Sequence, residues 1–459
     1  MKQNSNNMDM TEGAIGPKML LLSVPLIFTN LLQIVFSLAD VAVVGQCCGS
    51  EALGSVGCTV IAINLFTGIL IGAGNGVNVL TARFVGAKDN KAVEETVHTG
   101  VLLTLLMGIV VMVGCILFTR PLLELLNTKP ELIAGAELYM KLYFLSMPAI
   151  AIYNCGNGIL SAIGDTKSPL FYLLIAGVVN VFLNLGFVLL LGMDVDGVAL
   201  ASVISQYLSA ALILNKLFRT KEVFGLCFQK LHLKKLRILQ ILKLGIPTGL
   251  QYAIFQVANL FIQASVNSFD AVVVEGISAA ANVDPVIYDV MAAFYTACAS
   301  FIGQNFGAGR MDRVKRSYCL GVLYSFAAGL ILGTVFFFFG RPFLFLFTKD
   351  AAVVDAGMQK VRIMAFLYGI SAFMDCSLAA SRGLGKTVIP MIEVLLGSCV
   401  FRIIWIKTIF AHYHTIESLY LLYLFSWAIT AIAEIIYFIY IYRKTAGTVG
   451  RGKKNESSV

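Results

Sequence analysis

The sequence predicts an all-α polytopic membrane protein with about twelve transmembrane helices in two pseudo-symmetric six-helix lobes. Composition, the spacing of apolar segments and an internal repeat predict it. Of 459 residues, 58% are hydrophobic and only 13% charged, and the mean hydropathy is +0.84. A water-soluble domain carries about twice that charged fraction. The solvent for most of this surface is therefore lipid.

A spanning helix needs roughly 20 apolar residues. Apolar segments fall near 19–45, 52–82, 96–118, 136–160, 169–191, 197–218, 245–268, 274–302, 317–339, 358–381, 388–410 and 417–441. The short connections leave no room for a nucleotide-binding domain. The opening residues are polar, and the run from Met19 to Gly45 is too long for a signal-peptide core. It reads as an uncleaved first span.

The repeat is the most informative feature. Gly86-Ala87 recurs as Gly307-Ala308, Gly100 as Gly321, and Arg120-Pro121 as Arg341-Pro342. Gly164, Thr166 and Pro169 recur as Gly385, Thr387 and Pro390. Each pair is 221 positions apart, and Pro25 and Pro247 differ by 222. Chance matches would not share one offset over so long a stretch. Six spans per repeat give both halves the same orientation, which predicts an axis along the membrane normal and a substrate path between the lobes.

The net charge of +8 does not call for nucleic acid, because Lys and Arg cluster in alternate loops. That bias places both termini in the cytoplasm. The predicted organisation is an N-terminal lobe over 1–218, a basic cytoplasmic linker over 219–243, a C-terminal lobe over 244–441 and a polar tail over 442–459. The ten cysteines show no metal spacing and read as small packing residues. Cys47-Cys48 is a poor geometry for a structural disulfide. His98, His232, His412 and His414 form no metal motif. Gly72, Gly74 and Gly76 lie in an apolar span and are expected to permit close helix packing. No metal and no cofactor are expected.

Several motifs then become recognisable. Asp40-Val41-Ala42-Val43-Val44-Gly45 with Glu51-Ala52-Leu53-Gly54-Ser55-Val56-Gly57 resembles the first-helix signature of the multidrug and toxic compound extrusion (MATE) family. Gly158-Ile159-Leu160 followed by Gly164-Asp165-Thr166-Lys167-Ser168-Pro169 resembles it too, as does Gly303-Gln304-Asn305-Phe306-Gly307-Ala308-Gly309. Arg382-Gly383-Leu384-Gly385-Lys386-Thr387 with Pro390 completes the order. The resemblance covers nearly the whole chain. It implies export of cationic or amphipathic compounds against an inward flow of Na⁺ or H⁺, at the plasma membrane, by a chain that works as a monomer.

Asp40 is the only ionisable residue inside the first span. A mid-membrane carboxylate costs about 2.5–3.5 kcal/mol on insertion scales and usually faces a cavity or ion path; near the outer interface it would merely be solvated. Asn180 and Asn184 share a helix face, and with Asp40 and Ser202 they could ligate Na⁺ or steady a protonated Asp40. The resemblance aligns the family's coupling Asp with Asp40. It also shows departures, because relatives often carry Asp at the position of Asn184 and Tyr at Phe36, and some carry Glu at Gln256.

In the second half, Asp284, Asp289, Asp375 and Gln256 are the candidate substrate-binding residues, with Glu393 and Glu434 as further intramembrane acids. Asp289 could instead pair with Arg402 or another buried base. Pro285 is expected to kink its helix, and Lys407 to snorkel outward.

Acids outnumber the bases recognised inside the spans, Arg402 and Lys407, which favours cationic cargo. A lipid-linked oligosaccharide flippase of related fold is the nearest alternative and would want a cationic cavity. A membrane-embedded enzyme would need a convergent nucleophile, base and metal set, and none is evident. The expected partners are a small organic substrate, a monovalent cation and the bilayer.

Overall fold

A computed structural model describes residues 8–126 and 128–456. Helix α1 (Ile15–Val43) runs into a π-helical turn at Val44–Cys48. Helix α2 (Ser50–Gly86) follows in one piece, and α3 (Asn90–Leu125) is kinked at Phe118, three residues before Pro121. Helices α4 (Pro130–Phe144) and α5 (Met147–Ala162) form a crossing broken just before Pro148. Helix α6 (Lys167–Leu185) ends in a π turn at Gly186–Leu190, and α7 (Val195–Arg219) completes the first half.

The second half begins with α8 (Lys235–Val266). Next come α9 (Ala271–Ala280) with α10 (Val283–Gly307), and then α11 (Met311–Leu344). Helices α12 (Ala351–Met364) and α13 (Leu367–Gly383) are bent by 49° at their junction. Helices α14 (Val388–Val394), α15 (Phe401–Trp405) and α16 (Ala411–Tyr413) lie along one span, joined by π turns at Leu395–Val400 and Ile406–Phe410. Helix α17 (Ile416–Glu456) ends the fold.

Ten spans among the described residues are long and apolar enough to cross a membrane, and the bent α12–α13 pair makes an eleventh. The α4–α5 pair occupies the equivalent place in the first repeat and completes six crossings per half. All-helical crossing is what lipid demands, since every backbone N–H and C=O must be satisfied within the segment. Ahead of Pro285 the helix is interrupted for two residues at Ala281–Asn282, and α9 and α10 continue as one span. Proline removes one backbone donor and crowds the carbonyl four residues earlier. The Asn282 amide caps the end of α9 by donating to the Ala279 carbonyl at 3.1 Å.

The repeat is structural as well as sequential. Positive φ angles recur at Lys88 and Gly309, and at Gly164 and Gly385. Gly100 faces Val77, and Gly321 faces Cys298. All four correspondences keep the 221-residue step.

The chain divides into two compact units. Among the described residues, one holds Met8, Asp9 and the stretch from Phe28 to Ala253; the other holds Met10–Ile27 and the residues from Ile254 onward. Both α1 and α8 are thus shared between units, and they carry the repeated interior prolines Pro25 and Pro247.

In the first unit, α8 lies directly on α2. A Cβ on Gly72 would strike the Gly245 carbonyl and the Gly249 backbone, and one on Gly76 would strike the Ile241 carbonyl. Small residues four apart on each helix allow this approach. In the second unit, Arg313 binds the carbonyls of Met10, Glu12 and Gly13 and so holds the segment before α1.

The basic segment after α7 is tied to α3. His98 accepts from the Cys227 amide at 3.0 Å, and Arg237 pairs with Glu95 at 3.2 Å. All ten cysteines are free.

Candidate functional site

In the first unit, three helices bring the predicted polar residues together. Asp40 comes near the end of α1, Asn180 and Asn184 from one face of α6, and Ser202 from the start of α7. They close a hydrogen-bonded ring. The Asn184 amide Nδ2 donates to Asp40 Oδ1 at 2.5 Å and to Asn180 Oδ1 at 3.3 Å. The Asn180 amide reaches Ser202 Oγ at 3.5 Å, and Ser202 Oγ donates to Asp40 Oδ2 at 3.2 Å.

Because Asn184 Nδ2 serves two acceptors, the amide orientation is fixed by the network. Asn184 Oδ1 is consequently left buried with no donor. A buried carbonyl without a partner costs roughly 1–3 kcal/mol. Beside a carboxylate, such an orphaned oxygen is a natural ligand for a proton-bearing group or a hard cation. Asn180, Asn184 and Ser202 are buried, and Asp40 is half-buried.

One residue that the polar pattern could not reveal positions this ring. Gly177 sits one turn before Asn180 on α6, and any Cβ there would collide with the ring of Phe36 on α1. The absent side chain lets α1 lie close enough for Asp40 to reach both α6 and α7.

Among the second-half candidates, Asp284 and Asp375 are held by different partners. Asp284 is held by Lys360 Nζ at 2.8 Å and by the Tyr368 hydroxyl at 2.5 Å. Lys360 is buried and lies 5.5 Å from the Tyr420 ring centroid. Asp375 is also buried, and its Oδ2 accepts from the Tyr288 hydroxyl at 2.9 Å. Asp289 and Gln256 are half-buried. Gln256 makes no side-chain hydrogen bond among the described residues.

Arg402 is buried, but its Nε donates to Ser426 Oγ at 3.2 Å rather than pairing with Asp289. Lys407 is exposed, as snorkelling requires. Glu434 is fully buried with neither carboxyl oxygen hydrogen-bonded, and Glu393 Oε2 is likewise unpartnered. Sequence reasoning missed Lys360 altogether. It falls early in the apolar run taken as one span, whereas α12 is a separate helix that turns this lysine inward.

A MatE family model matches residues 25–186 and again 247–406, one match in each repeat. Among curated proteins, the chain is 28% identical to "Probable multidrug resistance protein YpnP" of Bacillus subtilis, over 78% of this chain and 80% of that protein. It is 25% identical to an FAD transporter of Shewanella oneidensis, over 83% of this chain and 86% of that one. Among solved structures, a MOP superfamily transporter from Pyrococcus furiosus, described as having a binding pocket of reverse polarity, superposes with a TM-score of 0.90 at 19% identity. That match covers 97% of this chain and 99% of the other. An outward-facing multidrug resistance MATE transporter gives 0.89 at 20% identity, with coverage of 97% and 99%. With a family match over most of both repeats, the chain belongs to the MATE family of membrane efflux transporters.

Proposed function

We propose that this protein is a secondary active antiporter that exports cationic or amphipathic organic compounds in exchange for Na⁺ or H⁺. The closed ring around Asp40 carries the reading. It offers one carboxylate, fixed from both sides, beside a buried carbonyl that lacks a donor. A cation arriving at Asp40 meets both at once. Substrate and cation then compete for the same electrostatic environment, which is the minimum that exchange requires.

One carboxylate suffices energetically. A charge moved down the membrane potential yields about 2.3 kcal/mol per 100 mV, enough for a gradient of roughly fifty-fold. The protein would act at the plasma membrane as a monomer without a cofactor, with both termini cytoplasmic. Its partners are an organic substrate, a monovalent cation and the bilayer.

The relatives support this reading to different degrees. Several are named multidrug resistance or multidrug export proteins, whereas one is named for FAD, an anionic compound. The second unit buries Lys360 and Arg402 as well as acids, so anionic cargo is the second reading.

Everted vesicles carrying the wild-type protein test the proposal. Accumulation of a cationic dye should follow an imposed Na⁺ or H⁺ gradient and collapse when that gradient is dissipated. Accumulation that persists without either gradient would refute ion-driven exchange.

A further inference from the structure

In the first repeat, the polar ring is built by the first, fifth and sixth crossings, and the second repeat has an equivalent place. The 221-residue step carries Asn180 to Phe401, Asn184 to Trp405 and Ser202 to Tyr423. The 222-residue step of the paired prolines carries Asp40 to Ile262. The carboxylate and both amides are therefore gone. What stands there instead is Arg402, one residue beyond the counterpart of Asn180.

Arg402 is 2% exposed and lies near the middle of its span. Its Nε is engaged by Ser426. Its guanidinium carbon lies 4.4 Å from the Tyr423 ring centroid and 6.0 Å from that of Phe255. These contacts come from α8, α15 and α17, the equivalents of the helices that hold Asp40. No carboxylate lies within ion-pair distance of Arg402 among the described residues. Its two terminal nitrogens make no hydrogen bond there. The π turn at Leu395–Val400 rotates the face that follows it, and such turns recur at functional sites.

An isolated buried cation is costly unless it is paired and hydrogen-bonded, and an ionisable group in mid-membrane is usually functional. Guanidinium nitrogens form a fork that matches an oxyanion through two parallel bonds. We infer that Arg402 is the anion-binding counterpart of the Asp40 site. It would receive the carboxylate, sulfonate or phosphate end of an organic compound whose ring packs among Tyr423, Phe255 and Trp427. Trp427 lies 5.0 Å from Tyr423 by ring centroids. The inference extends the exporter reading by naming a second class of ligand. Because binding needs no ion gradient, its failure would leave the antiport reading standing.

The chain supplies its own reporter. It has only two tryptophans: Trp427, and Trp405 on the same short helix as Arg402. The purified full-length protein in neutral detergent is titrated with sodium benzoate and, separately, with neutral benzamide at constant ionic strength, while tryptophan fluorescence is followed. Benzoate should quench saturably, at a half-saturating concentration at least about tenfold below that of benzamide. Arg402→Gln should erase that difference, and Arg402→Lys should keep part of it. Equal curves for the two compounds on wild type would overturn the inference. So would benzoate affinity that survives in a folded Arg402→Gln protein. If Arg402→Gln does not fold, the wild-type comparison decides alone.

Discussion

The Asn184 side chain donates to Asp40 Oδ1 at 2.5 Å while its own carbonyl oxygen is buried and unpaired. One amide thus fixes the carboxylate and presents an empty acceptor beside it. Asn184→Leu removes both functions without adding charge. A hydrogen bond to a charged group contributes about 1.5–3 kcal/mol, so the concentration of driving cation that gives half-maximal efflux should rise roughly tenfold or more. Efflux rates measured against Na⁺ and against pH at matched expression check this. Unchanged dependence on both would show that the amide is a spectator.

Gly177 gives a steric prediction that involves no polar atom. Gly177→Ala must push the Phe36 ring aside, and with it the second half of α1. Alanine favours helix over glycine by about 1 kcal/mol, so local helix stability should not fall. Transport should nevertheless drop, with Phe36→Ala restoring part of it in the double variant by relieving the clash. A Gly177→Ala protein that transports like wild type would mean that α1 and α6 need not approach so closely.

The ion pair of the second unit predicts an asymmetry. Lys360 is 4% exposed on its side chain, while Asp284 is 39% exposed. Asp284→Asn strands a buried ammonium and should destabilise by about 3 kcal/mol. Lys360→Met leaves a carboxylate that water and Tyr368 can still serve, and should cost about 1 kcal/mol or less. The double variant should recover much of the Asp284→Asn loss. Thermal melting of the detergent-solubilised variants measures the order; equal losses for both single variants would contradict it.

These cases mark what the sequence could disclose. Asp40, Asn180, Asn184 and Ser202 were legible because polar residues are conspicuous in apolar spans and because a four-residue spacing defines one helical face. The repeat was legible because its step is constant, and the glycines of α2 were legible as packing residues. Gly177 was not, since a glycine in an apolar helix gives no sign of the ring lying opposite. The partnership of Asp284 with Lys360 was not either. It joins residues on different helices and depends on the bend between α12 and α13, which hydropathy reads as one uninterrupted span. The division of α1 and α8 between units was hidden as well. Pro25 and Pro247 mark both helices, but a proline does not say which neighbours each half will choose.

The central claim is that Asp40 couples cation binding to export, and it is tested most directly by one substitution. Wild type and Asp40→Asn are reconstituted at equal protein density, and efflux of a cationic dye is recorded under separately imposed Na⁺ and H⁺ gradients. The account predicts that wild type responds to one of the two gradients and that Asp40→Asn responds to neither. Gradient-driven efflux by Asp40→Asn at the wild-type rate would contradict it and move the coupling site away from the ring.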